Sequence, residues 1–336
     1  MKVAINGFGR IGRLVFRLMS EDPDFNIVAI NDLTDAEQLA YLLKYDTAHG
    51  GYKRDSISFE GNQLIIDNKR ITIYAEKDPH DLPWGELGVD LVFECTGVFT
   101  SKEKCMAHSE AGAKKVIISA PAKGEEPVKT IVYGVNHNIL DGTEDVISAA
   151  SCTTNCLAPV LKIINDNFKI QKGYMTTIHA YTNDQSVLDL AHKKGIGSRR
   201  GRAAAANIIP TSTGAASAIG LVLPELDGKM EGIAMRVPTI TGSVIDLTLS
   251  LGQKVTKEEI NKVFKDNANG VIKFTMDPIV SSDVITSNVG AIVDGLSTNV
   301  LETEFGQLIK IIAWYDNEMG YSAQMVRTAK HFIELM

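Results

Sequence analysis

The string Gly7-Phe8-Gly9-Arg10-Ile11-Gly12 stands between the apolar run Val3-Ala4-Ile5 and the helix-patterned stretch Arg10 to Ser20. A G-x-G-x-x-G string carries information only where a strand precedes it and a helix follows. Both flank it here. Gly7 permits the tight turn, Gly9 lets a pyrophosphate approach the backbone, and Gly12 allows close packing of helix on strand. The helix N-terminus then presents unpaired N–H groups to the phosphates. Asp32 follows Gly12 by twenty residues, at the end of the run Asn26 to Asn31, where a carboxylate accepts hydrogen bonds from adenosine ribose hydroxyls. The predicted ligand is a dinucleotide. A 2′-phosphate beside Asp32 would be repelled, by ~1 kcal/mol at 4 Å in water and ~4 near a protein surface, so NAD is preferred over NADP.

Short, β-branched, nearly continuous apolar runs recur at Val3 to Ile5, Ile27 to Ile30, Val89 to Phe93 and Val116 to Ile118. Strands covered on both faces of a parallel sheet read this way. Helix-like stretches, Arg10 to Ser20 and Ala36 to Tyr45, lie between several of them. The expected fold class is α/β, with an N-terminal Rossmann-type doubly wound parallel sheet. Ile57 to Glu76 interrupts the alternation with short strand patterns around Gly61-Asn62 and Asp67-Asn68-Lys69, an antiparallel excursion. After Cys156 the apolar segments Tyr174 to Ala180, Gly232 to Val237, Ser243 to Leu251 and Leu308 to Trp314 are longer and more alternating. They predict an α+β domain with a mostly antiparallel sheet. The expected boundary is a cofactor domain over 1–150 followed by a catalytic domain over 151–316. Thr256 with Glu259 three residues later marks a helix start, and Tyr321 to Met336 has helical apolar spacing.

A chain of 336 residues exceeds what one small core organises, so two domains fit its length. The net charge of -7 provides no general attraction for nucleic acid or an anionic membrane. Arg199, Arg200 and Arg202 lack the breadth and aromatic interleaving of a nucleic-acid surface; a subunit-interface or phosphate-proximal loop fits them better. No stretch approaches the ~18 apolar residues of a membrane helix, and no signal-peptide core follows Met1-Lys2. A cytoplasmic location is expected. Cys95, Cys105, Cys152 and Cys156 form no C-x-x-C pair and share no ligand-like spacing with the seven histidines, so no metal site is expected.

Ser151-Cys152-Thr153-Thr154-Asn155-Cys156 follows the run Asp145 to Ala150 and opens a second helical pattern. A thiol at a strand-to-helix junction faces the positive end of the helix dipole, which favours thiolate. Cys152 is the candidate nucleophile; Cys156, one turn further in, reads as packing. His179, at the end of the strand pattern Gly173 to Ala180, is the candidate base. A Cys-His pair also suits a thiol hydrolase or acyltransferase on a scaffold fold, or a redox-sensing protein.

Six segments together resemble the phosphorylating glyceraldehyde-3-phosphate dehydrogenase family: Ile5 to Arg13, Ser151 to Pro159, His179 to Thr182, Ile208 to Ala216, Arg236 to Pro238 and Trp314 to Ser322. They occur in order over almost the whole chain. The resemblance implies an NAD-dependent, homotetrameric enzyme of glycolysis that converts glyceraldehyde 3-phosphate and inorganic phosphate to 1,3-bisphosphoglycerate. Cys152 would form a hemithioacetal and then a thioester, with His179 as base and the Cys152 N–H stabilising the substrate oxygen. Thr182 and Arg236 are implied to hold one phosphate, and Ser151, Thr153, Thr213 and Gly214 the other. Gly7, Gly9, Arg10, Ile11, Gly12, Asp32, Lys77, Ser119, Asn317 and Tyr321 take cofactor positions, and a helix over 317–336 is implied to complete the cofactor domain. Glu94 receives no role. One departure concerns Leu190-Ala191, where relatives commonly have Leu-Pro, and the longer stretch before the arginines. It loosens the expected strictness toward NAD. Erythrose 4-phosphate or a semialdehyde would use the same chemistry.

Overall fold

The structure, a computed structural model, describes residues 1–335. It divides into two compact units. The first comprises Met1–Tyr133, His137–Ser151 and the residues from Ser322 on; the second comprises Gly134–Asn136 and Cys152–Tyr321. Met336, at the end of the predicted last helix, lies outside the described residues.

The first unit runs β1 (Lys2–Asn6), α1 (Arg10–Ser20), β2 (Asn26–Asn31), α2 (Ala36–Lys44), β3 (Ile57–Glu60), β4 (Gln63–Ile66), β5 (Lys69–Tyr74), α3 (Trp84–Leu87), β6 (Leu91–Glu94), α4 (Lys102–Glu110), β7 (Lys115–Ile118), β8 (Lys129–Thr130) and β9 (Val146–Ser148). Its sheet has the order β3-β4-β5-β2-β1-β6-β7-β9-β8. Every pair from β5 to β8 in that order is parallel. The β3-β4-β5 excursion is antiparallel as expected. Asp67 and Asn68 both have positive φ, the backbone that a two-residue hairpin turn needs and that Asp and Asn tolerate. Val3, Ala4, Ile5, Val92 and Phe93 are fully buried, which accounts for the unbroken apolar runs of β1 and β6. The chain leaves β1 for β2 on one side and returns to β6 on the other. Such a switch point opens a crevice at the C-terminal strand ends, where ligands of doubly wound sheets bind.

The second unit contains α5 (Cys152–Phe168), β10 (Ile170–Ala180), β11 (Ile209–Ser212), β12 (Met230–Val237), β13 (Ser243–Leu251), α6 (Lys257–Asp266), β14 (Ile272–Thr275), β15 (Ala291–Asp294), β16 (Asn299–Thr303), β17 (Gly306–Tyr315) and the start of α7 (Met319–Glu334). Its sheet runs β11-β12-β10-β13-β17-β15-β14, with β16 on β17. Only β10 with β12 and β14 with β15 are parallel; the other pairs are antiparallel. Alternation along β13 and β17 buries Ile245, Leu247, Leu249, Ile309, Ile311 and Ala313 on one face. The capping box predicted at Thr256 is present: Glu259 N donates to Thr256 Oγ1 at 3.2 Å and Thr256 N to Glu259 Oε2 at 2.8 Å. Among the described residues no helix is long and apolar enough to cross a membrane.

Candidate active site and cofactor cleft

In the first unit a cavity of about 430 Å³ lies at the C-terminal strand ends, lined among others by Gly7, Gly9, Asp32, Leu33, Lys77 and Thr96. The three glycines differ in what they permit. At Gly7, φ is +91° and an added Cβ would lie 2.7 Å from Thr96 N; at Gly12 it would lie 2.1 Å from Gly7 O. At Gly9 it would meet nothing within 4 Å. Gly7 and Gly12 are therefore demanded by the fold, whereas Gly9 leaves open space at the N-cap of α1, where no side chain fills the first amides. Asp32 accepts from Phe8 N at 2.7 Å and Thr34 N at 3.0 Å, which sets its carboxylate against the glycine turn. A carboxylate has further lone pairs for ribose hydroxyls.

In the second unit α5 begins at Cys152 and β10 ends just past His179, and Cys152 Sγ lies 3.3 Å from His179 Nε2. His179 Nδ1 donates to the carbonyl oxygen of Ala180 at 2.6 Å. A carbonyl can only accept, so Nδ1 carries the proton and Nε2 turns a lone pair to the thiol. The ring packs edge-on to Tyr315, with centroids 6.0 Å apart. Burial lowers the His179 pKa to about 3, and the neighbouring Arg236 charge acts in the same sense. Burial also pushes the Cys152 thiol up, against the pull of Arg236 and of hydrogen bonds from Thr153. Desolvation thus works against the thiolate expected from the helix terminus and favours the neutral thiol.

Two family models match the chain: the glyceraldehyde 3-phosphate dehydrogenase NAD binding domain over residues 1–102 and the glyceraldehyde 3-phosphate dehydrogenase C-terminal domain over 151–317. Curated proteins named glyceraldehyde-3-phosphate dehydrogenase are similar over nearly their full length. Those of Clostridium pasteurianum and Clostridium acetobutylicum are 55% and 54% identical over 99% of both chains; that of Geobacillus stearothermophilus is 53% identical over 98% of both. The chain belongs to the glyceraldehyde-3-phosphate dehydrogenase family. It is an NAD-dependent enzyme, and NAD is its cofactor. The open space at Gly9 and the carboxylate of Asp32 fit the pyrophosphate and the ribose of that cofactor.

Around the Cys-His pair of this family member, Arg236 faces His179 in the β10/β12 register. Its Nη1 donates to Ala180 O at 3.0 Å and to Thr182 Oγ1 at 2.9 Å. Its Nε is buried with no acceptor among the described residues, a donor available to an anion. Thr182 donates in turn to Asp184, which is paired with Arg200, and Arg200 Nε reaches Thr211 Oγ1 at 3.3 Å. Thr213 Oγ1 accepts from Ala215 N at 3.2 Å in the turn after β11, and an added Cβ at Gly214 would meet nothing. The Thr153 hydroxyl bonds Tyr315 Oη at 2.9 Å, which also bonds Thr177 Oγ1 at 2.8 Å. Cys156 is buried with Sγ 3.9 Å from Ala313 O, a packing residue.

Asn317 Oδ1 accepts from Gly242 N, Ser243 Oγ and Thr241 Oγ1, so its Nδ2 is the end that can donate to a ligand. Tyr321 is buried and Ile11 partly exposed. Arg10 is drawn to the buried Asp46 at 2.5 Å and to His49 Nδ1 at 3.1 Å. Ser119 N bonds Glu94 O at 2.9 Å and its side chain bonds the Cys95 thiol. Asn6, Asn31, Glu76, Cys95, Val98 and Phe99 line the cleft without having been singled out in the sequence. Asn6, Asn31, Glu76 and Cys95 carry one sequence signal, a place at or just after the end of a strand run, which Val98 and Phe99 lack. Among the described residues no cluster of metal-ligating side chains occurs.

Proposed function

We propose that the protein catalyses the NAD-dependent oxidative phosphorylation of glyceraldehyde 3-phosphate to 1,3-bisphosphoglycerate. The observation that carries this reading is the neutral His179 Nε2 facing Cys152 Sγ at 3.3 Å beside the Arg236 and Thr182 donors. The names of the curated relatives support the choice of aldehyde.

His179 takes the thiol proton as sulfur attacks the aldehyde carbon, and returns it to the carbonyl oxygen to complete a hemithioacetal on Cys152. The Cys152 backbone N–H at the start of α5 stabilises negative charge on that oxygen. NAD, held by the glycine turn, Asp32 and Lys77, supplies a hydride acceptor. His179 holds the hydroxyl proton as the carbon is oxidised, leaving a thioester on Cys152. Inorganic phosphate displaces the sulfur and departs as an acyl phosphate, which conserves the free energy that hydrolysis would release. Arg236 and Thr182 hold the substrate phosphate; Ser151, Thr153, Thr213 and Gly214 hold the attacking one. Arg10, Ile11, Gly12, Ser119, Asn317 and Tyr321 complete the cofactor contacts.

We further assign a homotetramer in the cytoplasm. Val187, Leu188, Leu190 and Ile196 are exposed apolar side chains on one segment, as a subunit contact requires, and all four cysteines are unpaired, as in a reducing compartment. Light scattering should give four times the 36.5 kDa chain mass.

The deciding assay is NADH absorbance with glyceraldehyde 3-phosphate, with and without phosphate, and with erythrose 4-phosphate and a semialdehyde in parallel. Steady turnover should require phosphate and favour glyceraldehyde 3-phosphate. Turnover indifferent to phosphate would remove the phosphorylating step.

A further inference from the structure

The floor of the cofactor cleft rests on a buried polar chain that begins at Trp84, outside the cleft lining. Trp84 Nε1 donates to His108 Nδ1 at 3.0 Å, and His108 Nε2 lies 3.1 Å from Glu94 Oε2. Trp84 and His108 are fully buried and Glu94 is 1% exposed. Indole nitrogen can only donate, so His108 Nδ1 accepts and the ring proton sits on Nε2, aimed at Glu94. The same Oε2 accepts from Asn6 Nδ2 at 2.6 Å. Glu94 Oε1 accepts from Thr96 N at 2.8 Å and from the Thr96 hydroxyl. Four donors thus converge on one carboxylate.

The chain continues across the strand ends. Asn31 Nδ2 donates to Asn6 Oδ1 at 2.7 Å and to Glu76 O at 2.9 Å, and Asn31 Oδ1 accepts from Glu76 N at 2.9 Å. Asn6, Asn31, Glu76 and Thr96 all line the cleft. Thr96 also forms the wall of the glycine turn, since a Cβ at Gly7 would lie 2.7 Å from its nitrogen. Glu94 therefore sets both a lining residue and the backbone against which the phosphate turn is seated. An apolar core of equal volume would avoid the cost of burying this carboxylate; what the carboxylate adds is a fixed arrangement of strand ends.

We propose that His108 is a positioning residue for the cofactor: with its tautomer set by Trp84, it orients Glu94, which holds Asn6 and Thr96 in the shape that NAD binds. This rests on the reading that the Gly7–Asp32 cleft is the NAD site. His108 is not among the residues that line the cleft, and its effect passes through Glu94.

The test is titration of the full chain with NAD, read by calorimetry, together with kcat at saturating NAD and thermal unfolding. His108→Gln can place an amide N–H where Nε2 lies, whereas the shorter His108→Asn reaches only the Nδ1 position, where its oxygen can accept from Trp84. We expect His108→Asn to weaken NAD by about tenfold or more, with His108→Gln and the saturated kcat within about threefold of the parent. Glu94→Gln should weaken NAD similarly, and adding His108→Asn to it should change little, because both act through one carboxylate. NAD affinity unchanged in His108→Asn, equal weakening by Asn and Gln, or additive losses in the double variant would overturn the proposal. If His108→Asn does not fold, Glu94→Gln with and without His108→Gln carries the test: unchanged affinity in Glu94→Gln overturns it. Gly9→Val, which fills the phosphate space alone, separates the two readings. NAD affinity retained in Gly9→Val would mean that the cleft itself is misassigned.

Discussion

His179 shows its unprotonated Nε2 to the Cys152 sulfur because its other nitrogen donates to the carbonyl of the next residue, Ala180. That carbonyl also receives Arg236, so the group that helps fix the base is bonded to the arginine assigned to the substrate phosphate. Tautomer, orientation and anion binding are linked through one backbone oxygen.

Removing the base while keeping an amide in its place isolates its contribution. His179→Asn should slow acylation by about 10²–10⁴-fold, the usual range for a positioned general base. Rapid-mixing measurement of the first NADH turnover reads this step. A burst rate within about threefold of the parent would separate His179 from the chemistry.

His179 also predicts a pH dependence of stability. Its folded-state pKa is lowered by burial to about 3 from an ordinary 6.5, so between those values the unfolded chain binds the proton and the folded chain does not. The stability is fully present above 6.5 and is lost as pH falls toward 3, with a slope of up to about 1.4 kcal/mol per pH unit. Urea midpoints of parent and His179→Asn should converge as the pH is lowered through this window. Parallel curves would place the ionisation elsewhere.

Cys152 alkylation should rise with pH through the alkaline side of the ordinary thiol range, because burial raises its pKa and Arg236 only partly opposes this. Arg236→Leu removes that opposing charge and should move the iodoacetamide profile to still higher pH. A shift toward acid would contradict the assigned electrostatics.

Arg236 should also discriminate by substrate charge. Arg236→Leu is expected to lower kcat/KM for glyceraldehyde 3-phosphate by about 10–150-fold, the loss of roughly 1.5–3 kcal/mol for a hydrogen bond to a charged group. Unphosphorylated glyceraldehyde should suffer much less. Equal losses for both aldehydes would assign Arg236 to Ala180 and His179 alone.

The glycines of the turn should separate folding from binding. Gly12→Ala drives a Cβ to 2.1 Å from Gly7 O and Gly7→Ala brings one to 2.7 Å from Thr96 N at positive φ, so both should lower the melting temperature, by about 2–4 °C for each kcal/mol of an overpacking cost of about 1–3 kcal/mol. Gly9→Ala meets open space and should leave folding intact. Its effect should appear as weaker NAD binding, measured by calorimetry.

Much of this was readable along the chain because it depends on neighbours in sequence. The apolar runs marked β1, β2, β6 and β7, Asp67-Asn68 marked the hairpin, Thr256 and Glu259 marked a helix start, and Gly7 and Gly12 marked the turn. Each reflects a steric or hydrogen-bonding rule that acts within a few residues. The tertiary structure decided what distant segments do to one another. Nothing local brings Cys152 within 3.3 Å of His179, commits Arg10 to Asp46, joins Asp184 to Arg200 or ties Trp84 through His108 to Glu94. The helix dipole at Cys152 is a local property and favours thiolate, whereas the desolvation that opposes it comes from the packed surroundings. Sequence alone thus determined which groups could do chemistry, while burial and long-range hydrogen bonds determined their protonation and aim.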